Sequence, residues 1–348
     1  MNASIVSPMP ENPICSRTTS GAIAMFNLDA QIEADETQIA PAVAHSVAGI
    51  EHLLLRGVFR RRIADTEKAA GAAERLVSNA PGEGLAYLAR AQTRASFHLF
   101  SQALDDLDQA DQLCAEKQPI DSERAAVFQA VGRYDEAMLI RQEAARRSST
   151  FQTTAALATL HAERRDLDLA ERFFEESKAQ YRGVAPFPLA MLDFQRGHLW
   201  HAEHQLSRAR TWYLAALKRV PEFATAQGHL AEVEAAVGEV ETAIARLRRM
   251  VNVSDDPEFP AQLAWLLQSS GRTEESRSLL AQAAARYDEL TREHLEAFAD
   301  HAAEFWLANG GSSERALRYA EANFAIRQTP RALNLLQRAQ RASSQDAA

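Results

Sequence analysis

His198, His201 and His204 stand at intervals of three around Glu203 and form the most metal-like grouping in the chain. Imidazole nitrogen is a common ligand, and side chains three apart on a helix share a face. No second cluster stands nearby in sequence to complete a coordination set, so we expect no metal and no other cofactor. His294 and His301 share a face seven residues apart. Asp105, Asp106, Asp108 and Asp111 read as a solvated acidic face, and Arg56 with Arg60, Arg61 and Arg62 as a solvated helix end. The chain carries no Gly-x-Ser-x-Gly elbow, no phosphate loop ending in Gly-Lys, no His-Glu-x-x-His and no Gly-x-Gly-x-x-Gly. These absences point away from an enzyme.

The bulk composition narrows the classes further. A hydrophobic share of 46% over 348 residues suits a water-soluble, foldable chain, and the net charge of −9 opposes nucleic-acid phosphates. Only Lys68, Lys117, Lys178 and Lys218 are lysines among 38 basic residues, a bias that suggests a GC-rich bacterial genome. Cys15 and Cys114 make neither a disulfide framework nor a zinc spacing. No leader sequence and no membrane span is legible, which makes the cytoplasm the expected compartment.

What positions these groups is a repeat. Gly132-Arg133-Tyr134-Asp135-Glu136-Ala137 reads as a turn opening a helix, and looser copies recur. Small residues mark each copy at Ala69, Ala103, Ala137, Ala170, Ala209, Ala243, Ser276 and Ala316, separated by 34, 34, 33, 39, 34, 33 and 40 residues. Such a period means stacked helix pairs. The first helix of each unit carries a small residue at Gly57, Ala91, Ala125, Ala158, Gly197, Ala231 and Ala264, where its partner crosses closely. The second carries its marker, then a large group four residues on, as in Leu107, Phe174, Tyr213, Leu247 and Leu280. Those positions share one apolar stripe.

The set Gly197, Trp200, Ala209, Tyr213, Ala216 and Pro221, with Ala125, Phe128, Gly132, Tyr134, Ala137 and Ala144 two units earlier, resembles the tetratricopeptide repeat. Arg141, Ala320 and Ser276 depart from the pattern. The resemblance covers roughly residues 42 to 342. It implies an all-α, right-handed solenoid of about eight helix pairs, closed by a capping helix after Pro330. It also implies that first helices line a concave groove. Carried over position by position, the groove would present Met191, Phe194, His198 and His201, then Thr225, Gly228, Glu232 and Ala235, then Glu258, Ala261, Trp265 and Gln268, then Phe298, His301 and Phe305. Large aromatics there would anchor a partner's apolar side chains.

We therefore expect a flexible tail over 1–40, with Met25 a second candidate start, and ordered structure from about Pro41. The superhelical domain spans 41–342 with a candidate break near 181–189, and 343–348 are expected to be disordered. The step of 39 holds the proline-rich segment Tyr181 to Pro188, a loop; the step of 40 holds Arg286 to Thr291, which lengthens a helix or its connection. The expected function is a scaffold or adaptor that binds a protein or peptide in its groove, without nucleic acid or membrane. The alternatives are a metal-handling accessory protein using His198, His201 and His204, and a self-associating structural protein.

Overall fold

The computed structural model describes residues 18–37, 42–113 and 115–346. Among these, eighteen α-helices form eight antiparallel pairs, α2(Val43–Arg60)/α3(Ile63–Asn79), α4(Gly84–Ser96)/α5(Phe100–Gln112), α6(Lys117–Ala130)/α7(Tyr134–Arg147), α8(Phe151–Glu163)/α9(Leu167–Gln180), α10(Phe187–Ala202)/α11(Leu206–Arg219), α12(Ala224–Ala236)/α13(Val240–Val251), α14(Glu258–Ser269)/α15(Thr273–Glu293) and α16(Leu295–Ala308)/α17(Ser313–Ile326), flanked by α1(Gly21–Glu36) and α18(Pro330–Asp346). This is the expected all-α solenoid with its closing helix.

The small residues do what their size permits. All eight markers are buried, as are the small residues of the first helices. A methyl group added at Gly197 would lie 2.7 Å from the Tyr213 ring, so the large group of α11 occupies the space that glycine leaves on α10. Ser276, which departs from the marker alanine, stays buried because its hydroxyl donates to the Ala264 carbonyl at 2.8 Å. Neighbouring first helices touch one another (α2 with α4, α12 with α14, α14 with α16), the arrangement of an inner layer.

Three expectations about the ends and the insertion are corrected. The tail expected over 1–40 contains helix α1, whose Met25, Leu28 and Ile32 are buried in the same core as Ile50 and Leu53 of α2. It covers the face that the first pair would otherwise expose, as terminal caps of solenoids do. At the other end, α18 continues to Asp346, through most of the segment expected to be disordered. The segment near 181–189 is a loop, but no break. One buried cluster runs across it from Phe174 to Leu189, and the Thr19 amide donates to the Val184 carbonyl at 2.7 Å. Pro41, Cys15, Cys114 and residues 1–17 lie outside the described residues.

The stack closes on itself. Four contacts join places about one superhelical turn apart. The start of α1 meets the end of α11, where a methyl on Gly21 would lie 2.1 Å from the Arg219 carbonyl oxygen. At the α2–α3 turn, Asp255 accepts from the amides of Ile63 (2.6 Å) and Ala64 (3.0 Å), while the Ser254 hydroxyl donates to the Arg61 carbonyl at 2.6 Å. At the α4–α5 turn, His98 Nδ1 donates to the Glu296 carbonyl at 2.9 Å, and Phe97 stacks on His294 with ring centroids 4.3 Å apart. At the α6–α7 turn, the Gln328 amide donates to the Val131 carbonyl at 3.3 Å. In each case a turn inside an early unit, or the start of α1, meets a junction between later ones.

An apolar seam backs these polar contacts. Phe59 of α2 packs on Phe187 and Phe223, which open α10 and α12, at centroid distances of 4.9 and 4.6 Å. The residues added in the 40-residue step lengthen α15 to 21 residues, as one reading of the sequence expects. They also supply Leu290, which is buried with Ile63 and Phe97 across the seam. Three of the four arginines expected to be solvated are paired instead, and Arg60 and Arg61 join the same closure. Arg56 binds Asp29 and Asp65, Arg60 binds Asp29 and Glu222, and Arg61 binds Asp256 at 2.6 Å. In the acidic run, Asp106 is buried and held by Arg90 and Arg94, so that residue is no solvated face either.

Asp255 caps α3 from a distance of nearly two hundred residues. The Asp255→Ala variant should lose about 1 kcal/mol of stability, the usual worth of an N-cap. Urea unfolding checks this, and Asp255→Asn, which keeps an acceptor oxygen, should restore part of the loss.

Candidate functional site

The inner layer carries a continuous polar strip across four first helices. On α10, His201 Nδ1 lies 3.2 Å from the Tyr213 hydroxyl and 3.9 Å from Glu232 of α12. One turn earlier on α12, His229 Nδ1 donates to Glu232 Oε2 at 2.8 Å. The other oxygen, Glu232 Oε1, accepts from the Gln262 amide of α14 at 3.0 Å, and the same amide reaches Glu258 at 3.3 Å. Glu258 Oε2 then lies 3.7 Å from His301 of α16 and 3.4 Å from the Arg61 guanidinium. The strip ends where the superhelix closes.

Aromatic rings fix its imidazoles. His229 stacks on Tyr213 with an interplanar angle of 14° and lies 5.4 Å from His198, centroid to centroid. Phe194 bridges this group to the seam, 5.0 Å from Phe223. The surroundings set the protonation states. Burial alone would push His229 down, but the hydrogen bond and charge of Glu232 outweigh it and hold its pKa above the ordinary value. Burial would raise Glu232, yet His229 keeps it below the carboxylate range. His198 is held low by the enclosing walls and by the neighbouring His229, Arg331 and His201, although its own ring stays open to solvent.

The groove residues expected from the sequence divide into two sets. Met191, Phe194, His201 and His301 are partly exposed, and His198, Trp265 and Gln268 are exposed, Trp265 by 53%. Phe298 and Phe305 are not available as anchors, which corrects that expectation. Phe298 is only 8% exposed, covered by Phe97 and Ile63 across the seam; Phe305, 5% exposed, packs on Tyr287 and Trp306. His204 is separated from His201 by the turn it occupies, with φ of 57°, so the three histidines do not converge. His201 instead approaches His229 and Glu232, with one ligand atom from each within 4.8 Å of the others.

His229 and Gln262 escaped the sequence reading because both sit one position beyond the expected groove row. Their separation of 33 residues, the period itself, was the available signal. Each is followed three residues later by a groove residue, Glu232 or Trp265.

A curved stack of helical hairpins with a lined inner layer defines a repeat-built α-solenoid. It is the tetratricopeptide repeat fold, on the register of its eight units and the solved structures it resembles. Human IFIT1, in a dimer with m7Gppp-AAAA, is 14% identical, with 92% of this chain and 77% of that one covered at a TM-score of 0.56. The APC/C hetero-tetramer Cut9-Hcn1 matches at 15% identity and a TM-score of 0.50, covering 91% of this chain and 52% of the matched chain, so this chain spans about half its length. A tetratricopeptide repeat protein from Parabacteroides merdae is a looser likeness that adds no weight to the assignment, at 11% identity and a TM-score of 0.44 over 68% of this chain and 93% of that one. At these identities the likeness is one of fold. No family model matches the chain, nor does any curated protein sequence. Among the described residues no helix is long and apolar enough to cross a membrane.

His98 lies at the seam end of the strip, facing Asp300, Arg327 and His301, and burial lowers its pKa to about 4. An imidazole near 6.5 in the unfolded chain therefore takes up a proton before the folded one does. Its contribution to stability is full above pH 6.5 and is lost as the pH falls through about 4. Thermal unfolding between those values should show the decline, and the slope should flatten in His98→Gln.

Proposed function

We propose that this protein is a non-catalytic scaffold that binds a protein or peptide segment along the inner layer of units five to seven. The observation that carries the reading is Trp265, which is 53% exposed on an inner helix in an otherwise well-packed stack. A large ring left open on a rigid wall is the usual form of a binding anchor, because it buries much area at little cost in conformational entropy. Its counterparts at the same place in units five and six are His198 and Glu232, one repeat apart each. An apolar anchor, an imidazole and a carboxylate thus follow one another along the groove. An extended segment or a helix with a basic or hydroxyl-bearing side chain beside an apolar one would match that row.

The closed seam supports a preformed site. Arg61, Asp255 and Asp256 hold the seam end of the strip in place before any partner arrives. Little reorganisation is then spent on binding. A groove role without catalysis also accords with the strip's chemistry: its carboxylates and imidazoles pair with one another.

Trp265→Ala should weaken capture of the partner at least tenfold while leaving helicity and the unfolding midpoint nearly unchanged. Pull-down with quantitative mass spectrometry, using the full chain as bait, checks this. Leu139→Ala serves as the control, since Leu139 is 66% exposed on α7, a second helix outside the inner layer. A captured protein lost equally from both variants, or from neither, would sink the assignment.

A further inference from the structure

We propose that His201, His229 and Glu232 form a binding site for one divalent transition-metal ion, of the two-imidazole, one-carboxylate type. The three side chains come from adjacent inner helices, and one ligand atom from each lies within 4.8 Å of the other two. Zinc–nitrogen and zinc–oxygen bonds of 2.0–2.2 Å at tetrahedral angles set ligand atoms about 3.4 Å apart. Glu232 Oε2 stands 2.8 Å from His229 Nδ1 and 3.9 Å from His201 Nδ1, on either side of that spacing. Side-chain shifts of about half an ångström would bring these two distances to that spacing.

Glu232 is paired differently from the buried carboxylates among the described residues. Asp65, Asp106, Asp193, Glu234, Asp256 and Asp300 each pair with an arginine. Among the described residues Glu232 has only imidazoles within ion-pair distance. Imidazoles can give up their protons and bind a cation together with the carboxylate; arginine cannot.

The surroundings are those of a supported ligand set. Gln262 holds Glu232 Oε1 and leaves Oε2 for the ion. Tyr213 stacks on His229 and fixes its ring; the Tyr213 hydroxyl, 3.2 Å from His201 Nδ1, has to turn away from that nitrogen when the ion takes it. Outer groups that orient the ligands in this way tune metal sites generally. Two imidazoles and a carboxylate suit zinc, cobalt(II) or nickel(II) better than calcium or magnesium. Three protein ligands leave a fourth position for water or for a donor on a bound partner.

The test uses the full chain, free of any affinity tag, stripped with a chelator and titrated with Zn²⁺ and separately with Co²⁺. Calorimetry should show one equivalent of Zn²⁺ with protons released, and Co²⁺ should develop the visible absorption of a four- or five-coordinate site. Binding should weaken at least tenfold in His229→Ala and in Glu232→Gln, and should be unchanged in His204→Ala. Circular dichroism on each variant separates loss of the ligand from loss of fold; His201→Gln, nearly isosteric, supplies the measurement if a harsher change unfolds the chain. Absence of uptake by the wild-type chain would overturn the proposal. So would uptake unchanged in Glu232→Gln, or uptake that follows His294→Ala, which would place the ion on Glu67, Glu293 and His294 at the seam.

Discussion

The contact on which the rest of the structure depends is the pair of hydrogen bonds from Ile63 and Ala64 to Asp255. A helix leaves its first amides without partners, and a side chain near in sequence normally takes them. Here the acceptor arrives from a loop one superhelical turn away. The geometry of the stack and the start of α3 are therefore satisfied by the same carboxylate. Arg61, next to that start, has a left-handed backbone (φ 49°) and turns its guanidinium to Asp256 and Glu258. One short junction thus ties the N-terminal units to the polar strip.

This arrangement changes how the stack is held together. An open solenoid is stabilised by neighbours alone, and each unit knows only the next. In this chain Phe59, Leu290 and Phe298 are buried against elements far away in sequence. The insertion in α15 makes sense in this light. Without its extra length, Tyr287 and Leu290 would have no helix to stand on, and the closing contact at Phe97 would lose its apolar backing. Buried ion pairs across the seam contribute less to net stability than to choosing one register of closure over its neighbours.

The period of the sequence revealed every helix pair, because close helix crossings demand small residues and only a few spacings allow them. The closure was not legible. Nothing in the local pattern around Asp255 distinguishes a cap for α3 from an ordinary loop residue. For the same reason Arg56, Arg60 and Asp106 read as solvated charges, although their partners lie in other helices. Helix α1 escapes the repeat reading because its apolar residues Met25, Leu28 and Ile32 fall outside the repeat. Within the inner layer, register alone put Trp265 and His198 at positions that are exposed on first helices. Phe298 and Phe305 are not exposed, since their burial depends on Phe97, Ile63 and Tyr287, which the repeat pattern does not relate to them. The approach of His229 to His201 shows only once α10 and α12 are set side by side.

The closing contacts share one more property. Their partners are separated by 192 residues at Ile63, 198 at His98 and 197 at Ala130, whose carbonyl accepts from Arg327 beside the Gln328 contact. Repeat arrays ordinarily grow or shrink by whole units as genes duplicate and recombine. In this molecule one added or lost hairpin between those partners would shift each of them past its mate by about 34 residues. The seam therefore counts the units that lie between its partners, and that stretch of the array can neither gain nor lose one without breaking it.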